Sequence, residues 1–108
     1  MTIDEYYSHD PASFGPIVSL QFLQTSTPSG GVEQTLLLEL SKRPELGDAR
    51  LTLIFHGVRG LVFRQPELSL AAVGLIEIRQ TQSGFAVSEE EGELSLDCRS
   101  FDAVIGAA

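Results

Sequence analysis

The sequence lacks tryptophan, has a single cysteine, and contains only 7 basic residues against 15 acidic ones in 108 positions. Each shortage excludes something. One thiol, Cys98, cannot close a disulfide within the chain, so the fold does not depend on an oxidising compartment. The resulting net charge of −8 repels a phosphate backbone and an anionic bilayer surface, which disfavours nucleic acid and membrane as partners. Few aromatics and unclustered bases leave no stacking platform for single strands. The longest apolar run, near Leu70–Ile76, is too short to span a bilayer. Met1-Thr2-Ile3-Asp4-Glu5 has no basic stretch followed by an apolar one, so no secretory signal is expected and the default location is cytoplasmic.

What is present suits one globular domain. Hydrophobic residues make up 43% and charged residues 20% of the chain. A chain of this length buries roughly 65% of its unfolded surface, enough for a core. The acidic excess is even: residues 1–54 carry 7 acids and 3 bases, and residues 55–108 carry 8 and 4.

Period-two alternation dominates, as expected for half-buried strands. In residues 17–23 it puts Val18, Leu20 and Phe22 on one face. In 32–41 it puts Leu36, Leu38 and Leu40 together, although the leucines also suit a helix. In 51–56 it groups Leu51, Leu53 and Phe55. Gly57 and Gly60 then predict a bulge or tight bend with positive φ. Ile76 and Ile78, Phe85 and Val87, and Leu94, Leu96 and Cys98 line three strands. Turns at 82–84 and 89–92 join them into an antiparallel meander. Phe101–Ile105 is read as an extension of the last strand. Residues 1–15 are read as an irregular arm, and Pro66–Ala72 as the one short helix. The expected class is all-β and mainly antiparallel: a sandwich or strongly curled sheet of about seven short strands.

Chemistry-bearing residues are scarce. With two histidines and one cysteine, neither a metal site nor a bound cofactor is expected, and no catalytic residue is assigned. His9-Asp10 is a minor candidate site, because a carboxylate beside an imidazole can hold its tautomer; the pair can equally cap a turn. His56 is placed on the polar face of its strand beside Gly57. Cys98, on an apolar face, reads as a small buried hydrophobe. The acidic run Glu89, Glu90, Glu91 and Glu93 falls at a hairpin tip. It is the candidate binding surface for a basic protein, reached by charge steering.

Three stretches carry a resemblance: Ser8-His9-Asp10, LTLIFHGVRGLVF (51–63) and GLIEIRQTQSGFAVSEEEGELSLDCRSF (74–101). Their order resembles small bacterial β proteins of the immunity protein family 50 type. The resemblance implies an inhibitor that neutralises a cognate toxin, with no catalytic residues of its own. The expected function is therefore a non-catalytic protein-binding module. The alternative is a homo-oligomeric structural subunit that associates through an exposed strand edge or an apolar patch marked by Leu37 and Ile54. An enzyme using His9, Asp10 or His56 is the third reading.

Overall fold

A computed structural model describes residues 1–14, 17–41, 49–64, 75–90 and 94–106. Eight strands are found among them, in two four-stranded antiparallel sheets. The first sheet holds β1 (Ile17–Ser26), β2 (Val32–Leu40), β3 (Arg50–His56) and β8 (Ser100–Gly106), in that order. The second holds β4 (Arg59–Phe63), β7 (Leu94–Cys98), β6 (Gly84–Glu89) and β5 (Ile76–Thr81), in that order. The inner faces of both contribute to one hydrophobic core, so the architecture is a β-sandwich.

The alternation seen in the sequence sets the register. Leu36, Leu38 and Leu40 lie opposite Phe55, Leu53 and Leu51, and all six are buried. The helical option for residues 32–41 is thereby excluded. The meander β5–β6–β7 forms as expected, with Ile78 opposite Val87 and Val87 opposite Leu96. A bulge changes the start of β1: Ile17 pairs with Leu40 and Ser19 with Glu39, leaving Val18 as the extra residue. Ile17, not Val18, therefore shares the core face with Leu20.

The bend at residues 57–60 carries the chain from the first sheet to the second. Gly57 (φ 66°) and Gly60 (φ 63°) take the positive φ that the sequence called for. At Gly84 the constraint is space as well as φ, since a Cβ there would meet the Cys98 carbonyl oxygen.

Two further sequence expectations are corrected. Residues 1–15 are not wholly irregular: Ile3–Ser8 form an α-helix, α1, and Pro11–Phe14 a 3₁₀ turn. The Thr2 hydroxyl caps α1 by accepting from the Glu5 N–H. Phe101–Ile105 do not prolong β7. The chain breaks at Arg99, whose N–H donates to the His56 carbonyl, and β8 then pairs with β3 in the other sheet. That adds an eighth strand to the expected seven. The expected helix at Pro66–Ala72 lies outside the described residues.

α1 bridges the two sheets on the side where β8 and β5 are the outermost strands. Tyr6 is fully buried, its ring edge-on to Phe101 of β8 at 5.9 Å. Its hydroxyl donates to the Ile76 carbonyl of β5 at 2.5 Å. Phe101 in turn packs edge-on against Phe85 of β6, at 4.9 Å.

Candidate functional site: two sheet edges and an open groove

An edge strand presents unpaired N–H and C=O groups that can recruit another chain, and proteins cover or charge such edges. Of the four edge strands, β5 and β1 are treated differently. On β5 the Tyr7 hydroxyl donates to the Ile78 carbonyl at 3.3 Å and accepts from the Ile78 N–H at 3.2 Å. It thus occupies the position of a neighbouring strand. With the Tyr6 bond to Ile76, two consecutive outward positions of β5 are satisfied by side chains. Glu77 and Arg79, beside them, line a shallow groove of about 320 Å³ with Tyr7. They put charge of both signs there.

β1, the outer strand of the other sheet, is unlike this. It is ten residues long and pairs only with β2 among the described residues. From Ser19 to Ser26 its ladder is regular. No ionisable side chain occurs between Asp10 and Glu33. Phe22 and Leu23 stand 41% and 38% exposed. Phe22 lies opposite the buried Leu36, so it belongs to the core-side face of the sheet but reaches past the core's cover.

Next to this edge, the sandwich ends in a groove of about 460 Å³. It is lined on one side by Gln24, Thr27 and Gln34 of the β1–β2 hairpin. Val58, Arg59 and Arg99 complete it from the inter-sheet links. The Arg99 guanidinium donates to the Glu33 carboxylate, which fixes its position and offsets its charge. Sequence reasoning missed this pairing, because residues 33 and 99 meet only after the chain has crossed between sheets.

The residues singled out from sequence fall in three places. Glu89 is corrected: it is 2% exposed, pairs with Ile76, and continues the core-side series Phe85, Val87. It is no part of an exposed acidic tip. Glu90 is exposed, and its N–H donates to the Leu75 carbonyl. Glu91 and Glu93 lie outside the described residues. His9 closes α1, its N–H donating to the Tyr6 carbonyl. Asp10 follows with φ 53°, its N–H bonded to the Tyr7 carbonyl and its own carbonyl accepting from Ser13. The pair therefore builds the exit turn of the helix.

His56 lies on the outer sheet face, as its alternation indicated, with Thr35 and Ser100 opposite it on the flanking strands. Its Nε2 is 3.3 Å from Asp102 Oδ2, and the terminal amine of Met1 is 4.0 Å from Asp102 Oδ1. Neither neighbouring hydroxyl bonds the ring among the described residues. Neither of the two grooves is lined by a histidine. Cys98 is buried with Leu94 and Leu96, and burial, helped by the charge of Asp97, pushes its thiol up to about 11. Leu37 and Ile54 are direct cross-strand partners on the outer face, each half-buried.

Among the described residues, no three His, Cys, Asp or Glu side chains converge to hold a metal ion, and no helix is long and apolar enough to cross a membrane. Comparison with protein-family models, with curated proteins and with solved structures found no match.

Proposed function

We propose that this protein is a non-catalytic protein-binding module that takes up its partner by strand addition at β1. The observation that carries this is the contrast between edges. Tyr6 and Tyr7 satisfy two backbone positions on β5, whereas β1 offers a regular, uncharged ladder with Phe22 and Leu23 exposed. In strand addition, main-chain hydrogen bonds supply affinity and alternate side chains supply selectivity. The neighbouring groove gives an added strand room for side chains beyond the Phe22 face. The placement of the histidines supports a binding role over catalysis. His9 serves a turn, and His56, on the outer sheet face, lines neither of the two grooves. A buried, unpaired Cys98 fits a reducing, cytoplasmic setting.

Toxin neutralisation, which the resemblance to immunity proteins implies, is one form of such a module. The acidic-turn version of it now rests on Glu90, with Glu91 and Glu93 outside the described residues.

The test compares three tagged baits in native lysate: the unmodified chain, Phe22→Asp and Glu90→Lys, each read by intact mass. Strand addition at β1 expects the same bound polypeptide on the unmodified and Glu90→Lys baits, and its loss on Phe22→Asp. Loss on Glu90→Lys alone would move the binding surface to the acidic turn and overturn the edge reading.

A further inference from the structure

Basic residues are scarce in this chain, 7 against 15 acids, yet Arg59 and Arg99 both line the groove at the open end of the sandwich. One carboxylate, Glu33, lines it with them. The groove is therefore net positive on a molecule of net charge −8.

The two arginines are held differently. The Arg99 N–H is tied to the His56 carbonyl, and its side chain lies back over Gly57. A Cβ at Gly57 would stand 3.0 Å from Arg99 Cβ and 3.8 Å from Arg99 Cζ, so a side chain there would crowd Arg99 out of this seat. Glu33 accepts from Arg99 Nη2, while the Arg99 side chain stays 68% exposed. The ion pair thus sets the fork in place and leaves further N–H donors unused among the described residues. Arg59 makes no ion pair among the described residues, although Asp97 lies opposite it on β7. A preset fork beside an uncompensated guanidinium suits a carboxylate, which takes charge-assisted hydrogen bonds from both.

The rest of the lining indicates what the carboxylate is attached to. Leu40, Leu38 and Leu36 face the core along β2, and the same face continues into Gln34 and Val32. Gln24 lies opposite Gln34 on β1. The core side of the sheet therefore ends in two amides, each able to donate and accept, and in a valine that is 57% exposed. Val58 is buried beside them, its N–H donating to the Gln34 carbonyl. The amides suit a polar group next to the carboxylate, and the valines suit a small apolar body. A volume of about 460 Å³ is in the range of small-ligand sites. Charge sets the upper limit. A dianion or polyanion meets the repulsion of the whole molecule, and a single carboxylate is repelled least.

We propose that this groove binds a monocarboxylate with a small apolar body, its carboxylate held between Arg59 and Arg99 and its neighbouring polar group by Gln24 and Gln34. A free branched carboxylic acid and the C-terminal residue of a peptide offer the same chemistry. The site goes beyond strand addition at β1 and does not require it.

NMR titration of the full chain tests this, followed by the Nε–H signals of Arg59 and Arg99. The probes are isovalerate, isovaleramide, inorganic phosphate, and N-acetyl-glycyl-valine with a free or an amidated C-terminus. Isovalerate and the free-terminus peptide should give saturable shifts of both signals. The two amides should give none, and phosphate should bind about tenfold more weakly than isovalerate. Arg59→Gln, at an exposed position, should weaken isovalerate about tenfold, the loss of one charge-assisted bond. Arg99→Lys should do the same without changing the charge, because the fork is lost. Unchanged amide signals from Leu38 and Leu53 show that each variant is folded.

Tighter binding of the peptide than of isovalerate makes a chain terminus the source, and equal or weaker binding makes it a free acid; both support the site. Absence of saturable shifts with either carboxylate overturns it. Amides binding as tightly as acids, or phosphate as tightly as isovalerate, overturns the monocarboxylate assignment. An affinity that neither substitution changes places the carboxylate elsewhere and overturns the site. None of these outcomes moves the Phe22→Asp bait, so the two readings fail separately.

Discussion

Cys98 and Tyr6 show how burial alone sets the chemistry of a side chain in this molecule. The Cys98 thiol, 1% exposed, is held at about 11 mainly because its thiolate would lose solvation. The Tyr6 hydroxyl is likewise raised by burial, with the charges of Tyr7 and Glu77 adding to it. Both groups are neutral below their ordinary values, and both are harder to ionise folded than unfolded. Their contribution to stability is therefore complete below about pH 8.5, the ordinary thiol value. It falls as pH rises through about 11, where folded Cys98 ionises. Urea midpoints measured across alkaline pH should drop for the unmodified chain and drop less steeply for Cys98→Ala, the remaining slope including Tyr6. At neutral pH a thiol-directed reagent should label Cys98 only when urea is added. Labelling of the folded chain at the rate of a free thiol would mean that the Leu94–Leu96–Cys98 face opens in the native state. Glu89 teaches the complementary lesson, because its placement was readable in advance. Phe85 and Val87 set the inward face of β6, and the same period carries Glu89 inward. Reading Glu89, Glu90, Glu91 and Glu93 as one hairpin tip ignores that the strand continues into the run.

α1 is the element that ordinary periodicity reads least well, yet it decides which edge of the sandwich is closed. Six residues are too few to show a 3.6-residue apolar stripe. Its signal is instead at the N-terminus: Thr2 is followed three residues later by Glu5, the spacing of a capping box. The structure shows the Thr2 hydroxyl accepting from the Glu5 N–H and donating to the Glu5 carboxylate. Tyr6→Phe and Tyr7→Phe separate the helix's two jobs. The first leaves the Ile76 carbonyl without its buried donor and should cost about 1–3 kcal/mol in chemical denaturation. The second removes a half-exposed bond and should cost less than about 1 kcal/mol, but the Ile78 amide should then exchange faster than in the unmodified chain. Equal exchange rates would show that Tyr7 does not guard this edge. The strands themselves were legible because each keeps strict alternation against a single core. Leu51, Leu53 and Phe55 needed no partner to be read correctly. What alternation cannot tell is which sheet a strand joins. Cys98 and Phe101 are close in sequence, both buried, and lie in opposite sheets. The switch at Arg99 rests on hydrogen bonding to His56, 43 positions earlier, which no local pattern encodes.

Long-range pairings of this kind also built the site. The contrast between β5, bonded by Tyr6 and Tyr7, and β1, which pairs only with β2 among the described residues, exists only once the sheet order is known, although the charge-free interval from residue 11 to 32 was visible in the sequence. At the scale of the whole molecule, that interval and the net charge of −8 make a prediction with a definite sign. Two like-charged molecules repel at distances comparable to the Debye length, about 10 Å at 0.1 M ionic strength and roughly 3 Å at 1 M. For the homo-oligomeric alternative, a seam formed by uncharged β1 strands gains nothing from charge attraction, so added salt removes only the repulsion between the two bodies. Self-association there should tighten as sodium chloride rises from low to near-molar concentration, read as a falling dissociation constant in sedimentation equilibrium. A basic partner on Glu90 behaves in the opposite way, since screening weakens an attraction between unlike charges. The direction of the salt dependence thus distinguishes the two surfaces without identifying any atom of the contact. Tightening would place association on a surface free of charge, such as β1. Loosening would mean that ionic groups cross the interface, and β1, which carries none, could not be the contact.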